Sequence, residues 1–145
     1  MSVEQSVQVR VTHRFTASAE RVFDAWLDAG TVGRWLFATP TGEVVRAEID
    51  ARVGGRYVIV DRRDGEDVEH TGEYLEIDRP HRLVFTLAVP KYSQLADRVT
   101  IDIVPLESGC ELTLTHEMHP EFAEWAGQTE SGWTTILAKL EEVLG

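Results

Sequence analysis

Residues 132–144, Gly132-Trp133-Thr134-Thr135-Ile136-Leu137-Ala138-Lys139-Leu140-Glu141-Glu142-Val143-Leu144, change the period of the chain. Trp133, Ile136, Leu137, Leu140, Val143 and Leu144 fall on one face at helical spacing, with Lys139, Glu141 and Glu142 opposite, which predicts an amphipathic helix. Upstream of it, from Val44 to Thr115, the pattern is strand and turn. Val44 to Ala51, Arg56 to Asp61, Val68 to Ile77 and Leu83 to Ala88 read as strands, joined at Gly54-Gly55, Asp64-Gly65 and Arg79-Pro80. Asp64-Gly65 is the strongest turn signal, because a type I′ turn needs positive φ at both positions. Val99, Ile101 and Ile103 alternate with Thr100 and Asp102, and Ser108-Gly109 turns the chain into Cys110, Leu112 and Leu114. Pro105 has no N–H to give a ladder and marks a strand end.

The N-terminal part supplies a further strand. Val7, Val9, Val11, His13 and Phe15 alternate with Gln8, Arg10, Thr12 and Arg14, one buried face against one wet face. Ser18 is placed as an N-cap, with Val22, Phe23, Trp26 and Leu27 at helical spacing after it and Gly30 as the stop. Thr31 is expected to cap a second short helix from Val32 to Leu36. A twisted antiparallel sheet has a face to cover, and the C-terminal helix is the only element long enough to cover it. The fold expected is α+β: a curved seven-stranded antiparallel sheet around a long C-terminal helix, with two short helices after the first strand.

Composition bounds the function. The 145 residues fit one domain over 1–145, with 43% hydrophobic and 27% charged residues. The formal charge of −11 opposes a phosphate backbone and an anionic membrane surface, so neither nucleic acid nor membrane is an expected partner. Arg62-Arg63, flanked by Asp61 and Asp64, reads as a solvated hairpin tip. Cys110 is the only cysteine, no apolar run approaches a membrane span, and the first residues lack a secretion signal. A cytoplasmic setting is expected.

Several pieces, in order, carry a resemblance: Phe15 to Ala25, Arg34-Trp35-Leu36, and Asp50-Ala51-Arg52-Val53-Gly54-Gly55. Gly72-Glu73-Tyr74, Arg79-Pro80, Leu83-Val84-Phe85-Thr86, and Gly132-Trp133 with Leu137, Leu140 and Leu144 complete the set. The chain resembles the activator of Hsp ATPase homologue (AHSA-like) family of the START/SRPBCC superfamily, which includes the birch pollen allergen. The resemblance implies a helix-grip fold, commonly with a deep cavity between sheet and terminal helix. Similar proteins include lipid and hormone binders, aromatic-polyketide cyclases and a eukaryotic co-chaperone in which this domain is the C-terminal half. The present chain leaves no room for that co-chaperone's N-terminal domain.

On that fold, Trp35, Phe37, Tyr57, Phe85, Trp125 and Trp133 are the large aromatics expected near the sheet–helix interior. With Leu137, and His70 as a polar contact, they are the expected ligand-binding residues. The competing reading is a filled core, to which Phe23 and Trp26 are assigned. Catalysis finds little support: Cys110 points inward and should be inert, and no nucleophile elbow or phosphate loop is present. His116-Glu117-Met118-His119 is not a metal motif, and His13 and His116 fit hydrogen-bonded core positions, so no metal or other cofactor is expected. Asp50 and Arg52 read as a surface ion pair. Gly132, beside Trp133, is expected at a close contact where an added methyl would overpack. The function expected is binding of a small apolar or aromatic molecule. An enzyme of cyclase or hydratase type in the same cavity, and an interaction or co-chaperone-like protein, including a homodimer, are the alternatives.

Overall fold

The computed structural model describes residues 7–36, 43–90 and 96–144. Strand β1 (Val7–Phe15) leads into helices α1 (Ala19–Ala25) and α2 (Ala29–Val32). Strands β2 (Glu43–Ile49), β3 (Arg56–Arg63), β4 (Glu66–Asp78), β5 (Arg82–Leu87), β6 (Asp97–Pro105) and β7 (Cys110–Met118) follow. A 3-10 turn (Pro120–Trp125) then opens helix α3 (Ala126–Leu144). The strands form one antiparallel sheet in the order β1-β7-β6-β5-β4-β3-β2. This is the helix-grip α+β arrangement that the two periods of the sequence predict.

The alternation sets the register. Val9 and Val11 of β1 share the inner face with Leu112, Leu114 and His116 of β7, and Val99, Ile101 and Ile103 of β6 extend it. Asp64 and Gly65 adopt φ of 50° and 81°, as their tight turn between β3 and β4 requires. Register shifts at Val44/Arg46 and Tyr74/Glu76 add a residue to one strand of each pair and bend the sheet.

Helix α3 lays Trp133, Leu137 and Leu140, all buried, against the sheet, and β1 is its main strand contact. Three polar links fix its rotation. His13 Nε2 lies 2.5 Å from Glu141 Oε1, the Trp133 indole donates to His116 Nδ1 at 2.9 Å, and Arg21 Nη2 donates to the Leu144 carbonyl at 2.8 Å. The last of these satisfies a carbonyl that the helix end leaves open. His116 in turn donates from Nε2 to Asp97 at 2.8 Å, so its ring joins β6 to α3 through the sheet's inner face.

Two local expectations are corrected. Helix α1 ends at Ala25, and Gly30 lies inside α2 rather than closing α1. Helix α2 starts earlier than Val32 because Asp28, not Thr31, is its N-cap: Asp28 Oδ1 accepts from the Gly30 N–H at 3.3 Å, and Thr31 Oγ1 donates to Asp28 Oδ2 at 2.6 Å. Ser18 caps α1 as expected, accepting from the Arg21 N–H at 3.2 Å. Gly132 is also corrected: it is exposed, and a Cβ built there meets nothing within 4 Å.

Candidate functional site

The helix grips the β1 side of the sheet, and the inner face of β3, β4 and β5 presents a separate set of side chains. Strand β3 contributes Tyr57, Ile59 and Asp61, successive residues of one face. Strand β4 contributes Val68, His70, Gly72 and Tyr74, and β5 contributes Leu83 and Phe85. Opposite them stand Trp26, the C-cap of α1, and Leu36, just beyond α2.

Tyr57 organises the floor of this region. Its hydroxyl crosses β4 to donate to the Thr86 carbonyl at 2.8 Å. The ring can lie there because position 72 is glycine: a Cβ at Gly72 would stand 2.6 Å from Tyr57 Cε2 and 1.8 Å from the Thr86 carbonyl oxygen. Tyr57, Tyr74 and Phe85 then form a mutual cluster with centroids 5.6–6.5 Å apart. Trp26 joins from above, 6.1 Å from Phe85, 4.6 Å from Trp35 and 6.2 Å from Trp133. Such offset and edge contacts add about 0.5–1.5 kcal/mol per pair beyond burial.

Between floor and roof remains a void of ≈10 Å³, lined by Trp26, Leu36, Tyr57, Ile59, Tyr74, Leu83 and Phe85. That is room for about one water. Two buried polar atoms on this face and its roof have no hydrogen-bond partner among the described residues: the indole nitrogen of Trp26, which lines the void, and Oδ1 of Asp61, one inward position beyond the lining residue Ile59. Leaving such an atom unpaired costs about 1–3 kcal/mol, more for a charged group. Asp61 is fully buried, and its other oxygen pairs with Arg63 Nε.

Tyr57, Tyr74 and His70 are held neutral at physiological pH. Burial pushes the Tyr57 phenol well above its usual range, with Tyr74 adding to the effect, and burial followed by the Asp50 charge raises Tyr74. His70, opposite Ile59 on β4, is lowered to about 4, first by burial and then by Arg63, against a hydrogen bond to the Ile59 carbonyl. Burial also raises the Cys110 thiol, which lies away from this region on β7. Among the described residues no group of three or more His, Cys, Asp or Glu side chains converges as a metal site. The arrangement offers aromatic surface and two open hydrogen-bonding atoms.

Of the residues expected to bind ligand, Tyr57 and Phe85 line the void. Trp35 is fully buried behind Trp26, its indole donating to the Ala25 carbonyl at 3.3 Å. Trp133 and Leu137 are core residues of α3, and Trp133 meets the cluster through Trp26. His70 shares the face without lining the void, and Phe37 lies outside the described residues. Trp125, expected in the interior, is 48% exposed: it ends the 3-10 turn before α3 begins, short of the stripe that Trp133 opens. Trp26, Leu36, Ile59, Tyr74 and Leu83 line the void without having been singled out as ligand-binding. Trp26 carried a usable signal, a large ring on the inward stripe of α1, but a core ring carries the same one.

The family model described as Activator of Hsp90 ATPase homolog 1-like protein matches residues 16–145. The chain belongs to this family. Solved structures similar to this AHSA1-like chain share its fold. A Nitrosomonas europaea protein superposes with a TM-score of 0.83 at 20% identity, over 95% of this chain and 94% of that one. A Chromobacterium violaceum protein gives 0.79 at 25% identity, over 94% and 95%. An AHSA1-like protein from Aeromonas hydrophila gives 0.82 at 19% identity, over 95% and 92%. A search of curated proteins returned no significant match. No helix of the described AHSA1-like chain is long and apolar enough to cross a membrane.

Proposed function

We propose that this AHSA1-like chain, as one domain over residues 1–145, binds a small apolar or aromatic molecule on the inner face of β3–β5, under Trp26 and Leu36. The observation that carries the reading is the aromatic enclosure of Trp26, Tyr57, Tyr74 and Phe85 around space the sheet and helices leave unfilled. Polar commitments favour binding over chemistry. The Tyr57 hydroxyl is held by the Thr86 carbonyl, and His70 is neutral at physiological pH. The void itself takes no ring, so the ligand must displace a lining side chain. Leu36 is the candidate, because it is the one aliphatic lining residue that no strand holds. The expected setting is the cytoplasm, supported by a single thiol that is buried and unpaired. Trp35, Trp133, Leu137 and His70 act in this reading as the shell behind the ligand.

The test is thermal unfolding with naphthalene on the wild type and on Leu36→Ala. Ligand at about a hundredfold its dissociation constant should stabilise by about 2.7 kcal/mol, a shift of about 5–10 °C. Leu36→Ala opens the pocket and should bind more tightly than wild type. No shift in either protein sinks the reading.

A further inference from the structure

The pocket's roof holds one open polar atom, a second lies on the inner face of β3 just beyond the lining, and the two are of opposite kinds. Three buried indoles meet in this part of the molecule, and two have their N–H groups occupied: Trp35 by the Ala25 carbonyl and Trp133 by His116. The third, Trp26, lines the void, and its N–H has no partner among the described residues. The open acceptor is Asp61 Oδ1. Tyr57, Ile59 and Asp61 alternate on one face of β3, whose pairing with β4 runs without a register shift. Ile59 lines the void, so Asp61 occupies the next inward position, about 7 Å further along the strand. Its charge is balanced by Arg63 through the other oxygen, so what Oδ1 lacks is a hydrogen-bond donor rather than a counter-ion. A folded protein rarely leaves a donor and an acceptor both buried and unpaired, and here one lines the void and the other lies one inward strand position beyond it.

We infer that the pocket's ligand is a ring compound with a hydrogen-bond acceptor at one end, met by the Trp26 indole N–H, and a hydroxyl or amine donor at the other, met by Asp61 Oδ1. This rests on the pocket reading above and names the ligand's polarity. Trp26 and Asp61 are then the specificity-determining residues, and the aromatic floor supplies contact area that any flat ring can use. A purely apolar molecule of the same size leaves both atoms unpaired, whereas the matching one satisfies both.

Three probes of one skeleton decide the matter: naphthalene, 2-methoxynaphthalene, which adds an acceptor, and 6-methoxy-2-naphthol, which adds a donor at the opposite end. Dissociation constants are measured by calorimetry on wild type, Trp26→Phe and Asp61→Leu, after unliganded melts establish that each variant is folded. Each added group should tighten wild-type binding by about fivefold to tenfold. Trp26→Phe should erase the methoxy gain alone, and Asp61→Leu the hydroxyl gain alone. Arg63, a third exposed, keeps access to water in that variant. If the three probes bind wild type within about twofold of one another, the polarity inference is wrong while the pocket stands. Gains that persist in both variants overturn the assignment to these two residues. If no probe binds wild type, the pocket reading fails and takes this inference with it.

Discussion

Two glycines show how far a side chain's surroundings decide its energetic sign. Gly132 sits in the interior of α3, exposed, with open space where a Cβ would go. Replacing it with alanine should therefore raise the urea midpoint, by up to about 1 kcal/mol of stability, because helix propensity acts unopposed. A lowered midpoint would mean that the helix is rotated from the orientation described. Gly72 is the opposite case. A methyl there collides with the Thr86 carbonyl and the Tyr57 ring, so Gly72→Ala should cost about 3 kcal/mol, the upper end of the overpacking range. Unchanged stability in the same assay would show that Tyr57 does not lie over β4. The sequence marks both glycines but not their environments. Gly132 neighbours Trp133 in the chain, yet one residue turns a helix by about 100°, which places the two on different faces.

At the scale of elements, the joint between β7 and α3 runs through one imidazole. Trp133→Phe would leave His116 Nδ1 buried without its donor and should destabilise by about 1–3 kcal/mol beyond the small loss of packing. Denaturation of Trp133→Phe alone, His116→Leu alone and the pair together measures the coupling, and strict additivity would contradict the bond. The inward alternation of β1, β6 and β7 was legible in sequence because an unbroken two-residue period leaves a strand one way to bury its apolar side. The pairing of His116 with Trp133 was not, since residues on different elements are brought together only by the packed helix. The starts of α1 and α2 differ in the same way: Ser18 was a cap readable from spacing, whereas the expected cap Thr31 lies inside α2 and Asp28 caps it instead. For the pocket, period alone could not separate Trp26 from the other rings, because a ring that fills a core and a ring that lines a void follow the same spacing. Which one had lost its hydrogen-bond partner depends on contacts across the fold.

Across the whole molecule, acid should weaken the fold through His70. Its folded-state pKa of about 4 lies below the ordinary 6.5, so the folded protein keeps neutral a ring that the unfolded chain protonates. The contribution is complete above pH ~6.5 and is lost as pH falls toward ~4, amounting to about 3 kcal/mol. Subtracting the stability profile of His70→Gln from that of wild type isolates this term from the many carboxylates, and a flat difference between pH 4 and 6.5 would contradict it. The same burial shapes the central claim, that the aromatic enclosure over β3–β5 receives a small ring molecule. Nuclear magnetic resonance of the tryptophan indole N–H groups during titration with naphthalene tests that claim most directly. The account predicts a saturable shift of the Trp26 signal, while the Trp125 signal, at an exposed site away from the pocket, stays in place. A Trp26 signal that does not move, or a shift confined to Trp125, would contradict it.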